Sequence, residues 1–110
     1  MTTSVLLGGA PRSGTGLLRR VVGSHPQVAL APFELALHRH VDAGNSPRAV
    51  ARDLEDRLGL EPGSLDAASY GALLRSFLDD LRRRSDRPIA GDKTPGIELH
   101  TGRYRRWLAE

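Results

Sequence analysis

The stretch Val-Leu-Leu-Gly-Gly-Ala-Pro-Arg-Ser-Gly-Thr-Gly-Leu-Leu at residues 5–18 decides the fold that this sequence predicts. Its apolar start, Val5 to Leu7, is typical of a buried parallel strand, and the apolar periodicity over residues 17–22 predicts a helix. The glycines between the two predict a tight loop. Backbone N–H groups in such a loop, together with the positive end of the helix dipole, form a socket for a phosphate-like anion.

The side chains of this loop suit an anion but not a metal–nucleotide complex. Arg12 adds a permanent charge with a planar fork of donors, and Ser13 and Thr15 add hydroxyls. The spacing fits the first half of the nucleotide-binding pattern G-x-x-x-x-G-K-[ST]. Thr15 then stands at the lysine position and Gly16 at the position of the magnesium-binding hydroxyl, so a kinase would lack both groups. The alternative is a strand-to-helix turn with no ligand.

The composition excludes several other classes of protein. The chain has 110 residues, 39% of them hydrophobic and 26% charged, which predicts one globular domain or part of one. The net charge is +3, but aromatic residues make up only 5%, too few to stack nucleic-acid bases. The N-terminus has no basic segment before its apolar run, which predicts neither a signal peptide nor a membrane span. With no cysteine, the chain fits a cytoplasmic location.

The remaining elements follow from turn residues and apolar spacing. A short strand is predicted over Val28 to Leu30, and a helix begins after the cap Asn45-Ser46-Pro47 and ends at Gly59. Asp66 is expected to cap a longer helix with one apolar face from Tyr70 to Leu81. Pro88-Ile89-Ala90 leads into Gly-Asp-Lys-Thr-Pro at residues 91–95, and a last helix is expected from Ile97.

Two motifs resemble those of sulfotransferases that use 3′-phosphoadenosine 5′-phosphosulfate (PAPS). Pro-Arg-Ser-Gly-Thr at 11–15 resembles their 5′-phosphosulfate loop, and Gly-Ser-His-Pro-Gln-Val at 23–28 extends the likeness to the branch of bacterial and tyrosylprotein sulfotransferases. Gly-Asp-Lys-Thr-Pro at 91–95 is common in that branch at this distance from the loop. Gly16 departs from the pattern, because many members carry Thr or Ser there.

The resemblance implies a fold, a cofactor and a set of site residues. The fold would be α/β, with a P-loop-like parallel sheet flanked by helices and incomplete at the C-terminus. The donor would be PAPS, with no metal, and the acceptor a hydroxyl or amine of a small molecule or peptide. The residues holding the 5′-phosphosulfate would be Arg12, Ser13, Gly14, Thr15, Gly16 and Leu17.

Three catalytic residues are expected from the same resemblance: Arg12, Lys93 and Glu34. Lys93, the only lysine in the chain, would neutralise charge on the sulfuryl and leaving phosphate oxygens. Glu34 would be the general base, with His38 as the substitute. The alternatives are structural: Glu34 would open a helix, and Asp92 or Thr94 would cap the next one.

Residues 1–110 are accordingly expected to be the N-terminal part of a single sulfotransferase domain. The Arg-Asp-x-Arg motif and the helical serine that bind the 3′-phosphate in this family do not occur in the sequence. The chain alone is therefore expected to be inactive and to expose an edge of its sheet. The rivals are a P-loop small-molecule kinase and a non-catalytic protein that retains the anion loop.

Overall fold

A computed structural model describes residues 3–9, 20–22 and 24–110, and within these ranges the chain is a mixed α/β structure. Its strands are β1 (Thr3–Leu7), β2 (Val28–Leu30) and β3 (Ile89–Lys93). Its helices are α1 (Leu37–Asp42), α2 (Pro47–Leu58), α3 (Tyr70–Ser85) and α4 (Thr101–Ala109), with a 3-10 turn at Ile97–Leu99. Residues 20–22 are also helical.

The three strands form one parallel sheet in the order β1-β3-β2. β3 is central: Leu7 of β1 lies opposite Lys93, and Leu30 of β2 lies opposite Gly91. Because all strands run the same way, their carboxyl ends meet at one edge of the sheet, which is where ligands bind in open α/β sheets. The predicted α/β class, parallel sheet and flanking helices are confirmed.

The core lies between the sheet and the apolar face of α3. Leu73, Leu74, Phe77 and Leu78 are each at most 1% exposed, which confirms the apolar face predicted from the sequence. α3 contacts β2, β3 and α4. The rings of Tyr104 and Trp107 in α4 pack edge to face with their centroids 4.9 Å apart. The helices therefore pack against the sheet and leave its carboxyl edge available for a binding site.

The helix caps confirm one prediction and correct another. Ser46 accepts a hydrogen bond from the Ala49 N–H at 3.2 Å, with Pro47 in the first turn of α2, as predicted. The expected Asp66 cap of α3 is wrong, because α3 starts only at Tyr70 and Ser69 caps it. Asp66 instead accepts from the Ala68 N–H, which orders the turn before the helix.

Two further expectations differ from the structure. β1 was expected to be buried, but residues 4–7 are only half-buried, because β1 pairs with β3 on one side and no strand of the described ranges lies on its other side. The last helix was expected from Ile97, but a 3-10 turn there ends at Leu99 and α4 begins at Thr101. None of the helices described is long and apolar enough to cross a membrane.

Candidate functional site

The candidate site is the carboxyl edge of the sheet, where Gly9, Glu34, Lys93 and Glu98 come together from four segments. Gly8 and Gly9 follow β1 directly, and the Thr94 N–H donates to the Leu7 carbonyl at 3.0 Å, which holds the end of β3 beside the start of the loop. The predicted anion-binding residues Arg12, Ser13, Gly14, Thr15, Gly16 and Leu17 lie outside the described residues.

Glu34 and Lys93, predicted separately from two motifs, are in direct contact. The Lys93 ammonium donates to Glu34 Oε1 at 3.0 Å, although the two residues are 59 positions apart. The Lys93 side chain is 8% exposed and that of Glu34 is 38% exposed. A largely desolvated cation thus faces a carboxylate that solvent, or an acceptor molecule, can reach.

Arg39 is a second cation beside Glu34, and no motif distinguishes it from the other arginines among the 15 in the chain. Its Nη1 lies 3.7 Å from Glu34 Oε2, and its Nη2 donates to the Pro95 carbonyl at 3.0 Å. Because its side chain is 50% exposed, the charge interaction with Glu34 is weak. Its main effect is to tie α1 to the chain that follows Lys93.

The position of Glu34 corrects the structural alternative considered for it. α1 begins at Leu37, so Glu34 lies in the connection between β2 and α1 and does not open a helix. Its neighbour Phe33 packs under the guanidinium of Arg57, which lies 3.6 Å from the ring centroid. The connection that carries Glu34 is therefore fixed to α2 on one side and to Lys93 on the other.

Asp92 and Thr94 do not cap the next helix, which was the structural alternative for the second motif. Asp92 is part of β3 and is fully buried, and its carboxylate accepts from the Leu35 N–H at 3.2 Å and from the Thr94 hydroxyl at 2.9 Å. The Thr94 hydroxyl accepts in turn from the Ala36 N–H at 3.2 Å. Both side chains bind the segment that follows Glu34.

Glu98 joins the site from the 3-10 turn and was not predicted. Each of its carboxylate oxygens lies 3.0 Å from the Gly9 nitrogen, and Oε1 also accepts from the Gly96 N–H at 2.8 Å. The hydrogen bond from Gly9 is the main cause that lowers the pKa of the Glu98 carboxyl below its ordinary value. Glu98 therefore occupies the Gly9 N–H and fixes the first residues after β1.

His38, the substitute base, belongs to a buried aromatic cluster. It is 4% exposed, its Nδ1 lies 2.8 Å from the Tyr104 hydroxyl, and its ring stacks on His100 with centroids 4.6 Å apart. Burial lowers the pKa of His38, and the neighbouring His100 and Arg39 lower it further. Burial also raises the pKa of the Tyr104 phenol, so both groups are neutral near pH 7.

The edge of the sheet thus offers an ammonium for anionic oxygens and an accessible carboxylate for a proton. Within the described ranges, no group of three or more His, Cys, Asp or Glu side chains could hold a metal ion. Comparison with the models of known protein families, with curated proteins and with solved structures finds no match for this chain. The functional inference therefore rests on these residues and their geometry.

Proposed function

We propose that this chain is the N-terminal part of a PAPS-dependent sulfotransferase with a P-loop-like fold. The observation that carries the proposal is the 3.0 Å contact between Lys93 and Glu34 at the carboxyl edge of a parallel sheet, beside the glycines that begin the loop. A positive group for the transferring oxygens and a proton acceptor are the two parts that sulfuryl transfer needs from a protein.

The proposed reaction is an in-line transfer of a sulfuryl group. Glu34 accepts the proton of the acceptor hydroxyl or amine as the acceptor atom attacks the sulfur of PAPS. The bond between that sulfur and the 5′-phosphate oxygen breaks, and adenosine 3′,5′-bisphosphate (PAP) leaves with the electron pair. Lys93 and Arg12 neutralise the oxygens on which charge develops. An ammonium has three donors, so Lys93 can bind Glu34 and the sulfuryl oxygens together.

Exposure favours Glu34 over His38 as the base. A general base must come within hydrogen-bond reach of the proton it takes. The Glu34 side chain is 38% exposed at the edge of the sheet, whereas His38 is 4% exposed and already bonded to the Tyr104 hydroxyl. An acceptor could meet Glu34 without rearranging the core, but not His38.

Binding to the 110-residue chain tests the donor site. Calorimetric titration with PAPS and with PAP, in buffer without metal, should show binding that Arg12→Ala weakens by about tenfold or more, the scale of a lost charge-assisted contact. Arg48→Ala, which removes an exposed arginine from α2, is the matched control and should leave the affinity unchanged.

The same titrations separate the rival functions. Binding of ATP that requires Mg²⁺, without binding of PAPS, would establish the kinase reading and overturn the proposal. Binding of neither nucleotide would leave the loop as a structural turn. The non-catalytic alternative predicts a third result. The 110-residue chain would bind PAPS, but an enzyme that adds a complete 3′-phosphate site to it would not transfer sulfate to phenols, alcohols or amines.

A further inference from the structure

The backbone just after Glu34 adopts a conformation that is unusual for its residue. Ala36 has φ 52° and ψ 40°, in the left-handed region. For a residue with a Cβ this conformation is strained, and such residues persist only where their surroundings hold them. Something must therefore hold the segment 34–36 in place.

The hydrogen bonds that hold this segment come from the two side chains that flank Lys93. Asp92 accepts from the Leu35 N–H and Thr94 accepts from the Ala36 N–H, each at 3.2 Å. The Thr94 hydroxyl also donates to Asp92 at 2.9 Å, so the two acceptors form one unit. We call Asp92 and Thr94, with the Leu35 and Ala36 amides that they bind, the β3 clamp.

Burial makes the clamp difficult to open. Asp92 and Thr94 are both 0% exposed, so water cannot replace the Leu35 and Ala36 amides as donors. A buried carboxylate that loses a donor loses part of the hydrogen bonding that offsets its desolvation. The clamp also restricts where Glu34 and Lys93 can lie. Leu35 and Ala36 directly follow Glu34, and Asp92 and Thr94 lie on either side of Lys93, so their hydrogen bonds hold the two charged residues close together.

We propose that Asp92 and Thr94 are positioning residues that set the Glu34 carboxylate against the Lys93 ammonium. The catalytic meaning of this role rests on the function proposed above, but the geometric claim concerns only the free chain. Without the clamp, Ala36 would relax from its left-handed conformation, the segment would shift, and Glu34 would leave Lys93.

The reactivity of Lys93 measures this positioning without any activity. Lys93 is the only lysine, so an acylating reagent labels just this side chain and the N-terminal amine, which serves as the internal reference. In the native chain the Lys93 side chain is 8% exposed and its ammonium is bonded to Glu34, so Lys93 should react slowly. Glu34→Gln removes the negative partner of Lys93, so its labelling rate is the reference for a Lys93 that has lost the ion pair.

Thr94→Val removes the clamp hydroxyl and keeps the side-chain shape. We expect it to raise the labelling rate of Lys93 by about fivefold, the factor that corresponds to one lost hydrogen bond, towards the Glu34→Gln rate. Thr94→Ser, which retains the hydroxyl, should restore the slow rate. Thr101→Val makes the same substitution at an exposed position in α4 and should have no effect.

A Thr94→Val chain that is folded by circular dichroism but labels at the native rate, while Glu34→Gln labels faster, would overturn the proposal. Hydrogen exchange of the native chain decides the matter even if the variant does not fold. The Leu35 and Ala36 amides should exchange at least about tenfold more slowly than expected for an unprotected loop, and fast exchange of both would also overturn it. PAPS titration is separate, so failure of the proposed function leaves this result intact.

Discussion

Replacing Gly91 with alanine should disturb the sheet at its most crowded point. Gly91 lies in the central strand, opposite Val5 on one side and Leu30 on the other. A Cβ at this position would lie 2.2 Å from the Val5 carbonyl oxygen and 3.0 Å from Leu30 Cδ2. The first of these atoms belongs to the backbone of β1, so no side chain can rotate away to make room.

The magnitude follows from the displacement required. Ordinary van der Waals contact begins at 3.4 Å, so β1 and β3 must separate by roughly 1 Å at the register Val5↔Gly91. A shift of that size stretches the neighbouring ladder hydrogen bonds. Over-packing of this kind costs about 1–3 kcal/mol and occasionally more, a large part of the roughly 5–15 kcal/mol that stabilises a small domain.

Urea unfolding of purified chains measures the effect, because Trp107 is the only tryptophan and is 8% exposed in the native state. Its fluorescence should report loss of the core. Gly102→Ala is the matched control: no atom lies within 4 Å of a Cβ built at Gly102, so alanine in α4 should be neutral or stabilise by up to about 1 kcal/mol.

The reasoning fails if the free energy of unfolding of the Gly91→Ala chain lies within about 0.5 kcal/mol of the native value, because harmless surface substitutions typically stay within that range. It also fails if Gly102→Ala is equally destabilising, because the loss would then reflect any added methyl group and not the approach of β1.

Three further predictions concern the site. In an enzyme with a complete PAPS site, Glu34→Gln should lower turnover by about a hundredfold or more and change the pH–rate profile, and greater damage from His38→Ala would make His38 the base. Ala36→Gly should raise the thermal midpoint, because glycine adopts the left-handed conformation without strain; an unchanged or lower midpoint would contradict this. The pKa of His38 is lowered from 6.5 in the native state, so the unfolded chain takes up a proton at His38 before the folded chain does as the pH falls. Stability should therefore decline below about pH 6.5. In thermal melts, His38→Asn should reduce that decline. An equal decline in both chains would exclude His38 as its cause.

The sequence predicted the elements of this fold better than the contacts between them. Val5–Leu7 ends at Gly8, and Val28–Leu30 lies between Pro26 and Pro32; short apolar runs with such residues beside them are typical of buried strands. The cap of α3 was misplaced because Asp66 and Ser69 are both good caps, and only the observed start at Tyr70 selects between them.

The candidate site was predicted in part for a different reason. Lys93 and Glu34 could each be selected by residue type and motif, but their contact depends on the order β1-β3-β2, which brings the end of β3 beside the chain that follows β2. Glu98 and Arg39 had no local signal. Acidic and arginine side chains are common on solvated surfaces, and only the folded chain brings these two to Gly9 and Glu34.

The central position of β3 explains why one short segment controls the whole edge. Residues 92–98 contact the end of β1 and the glycines that follow it: the Thr94 N–H donates to the Leu7 carbonyl, and the Glu98 carboxylate accepts from the Gly9 N–H. They reach the connection after β2 through Lys93 and the β3 clamp. Because β3 lies between β1 and β2, a displacement of its carboxyl end disturbs its contacts with both strands. Gly91→Ala should therefore both destabilise the chain and accelerate acylation of Lys93, whereas Gly102→Ala, which adds a methyl group away from this edge, should do neither.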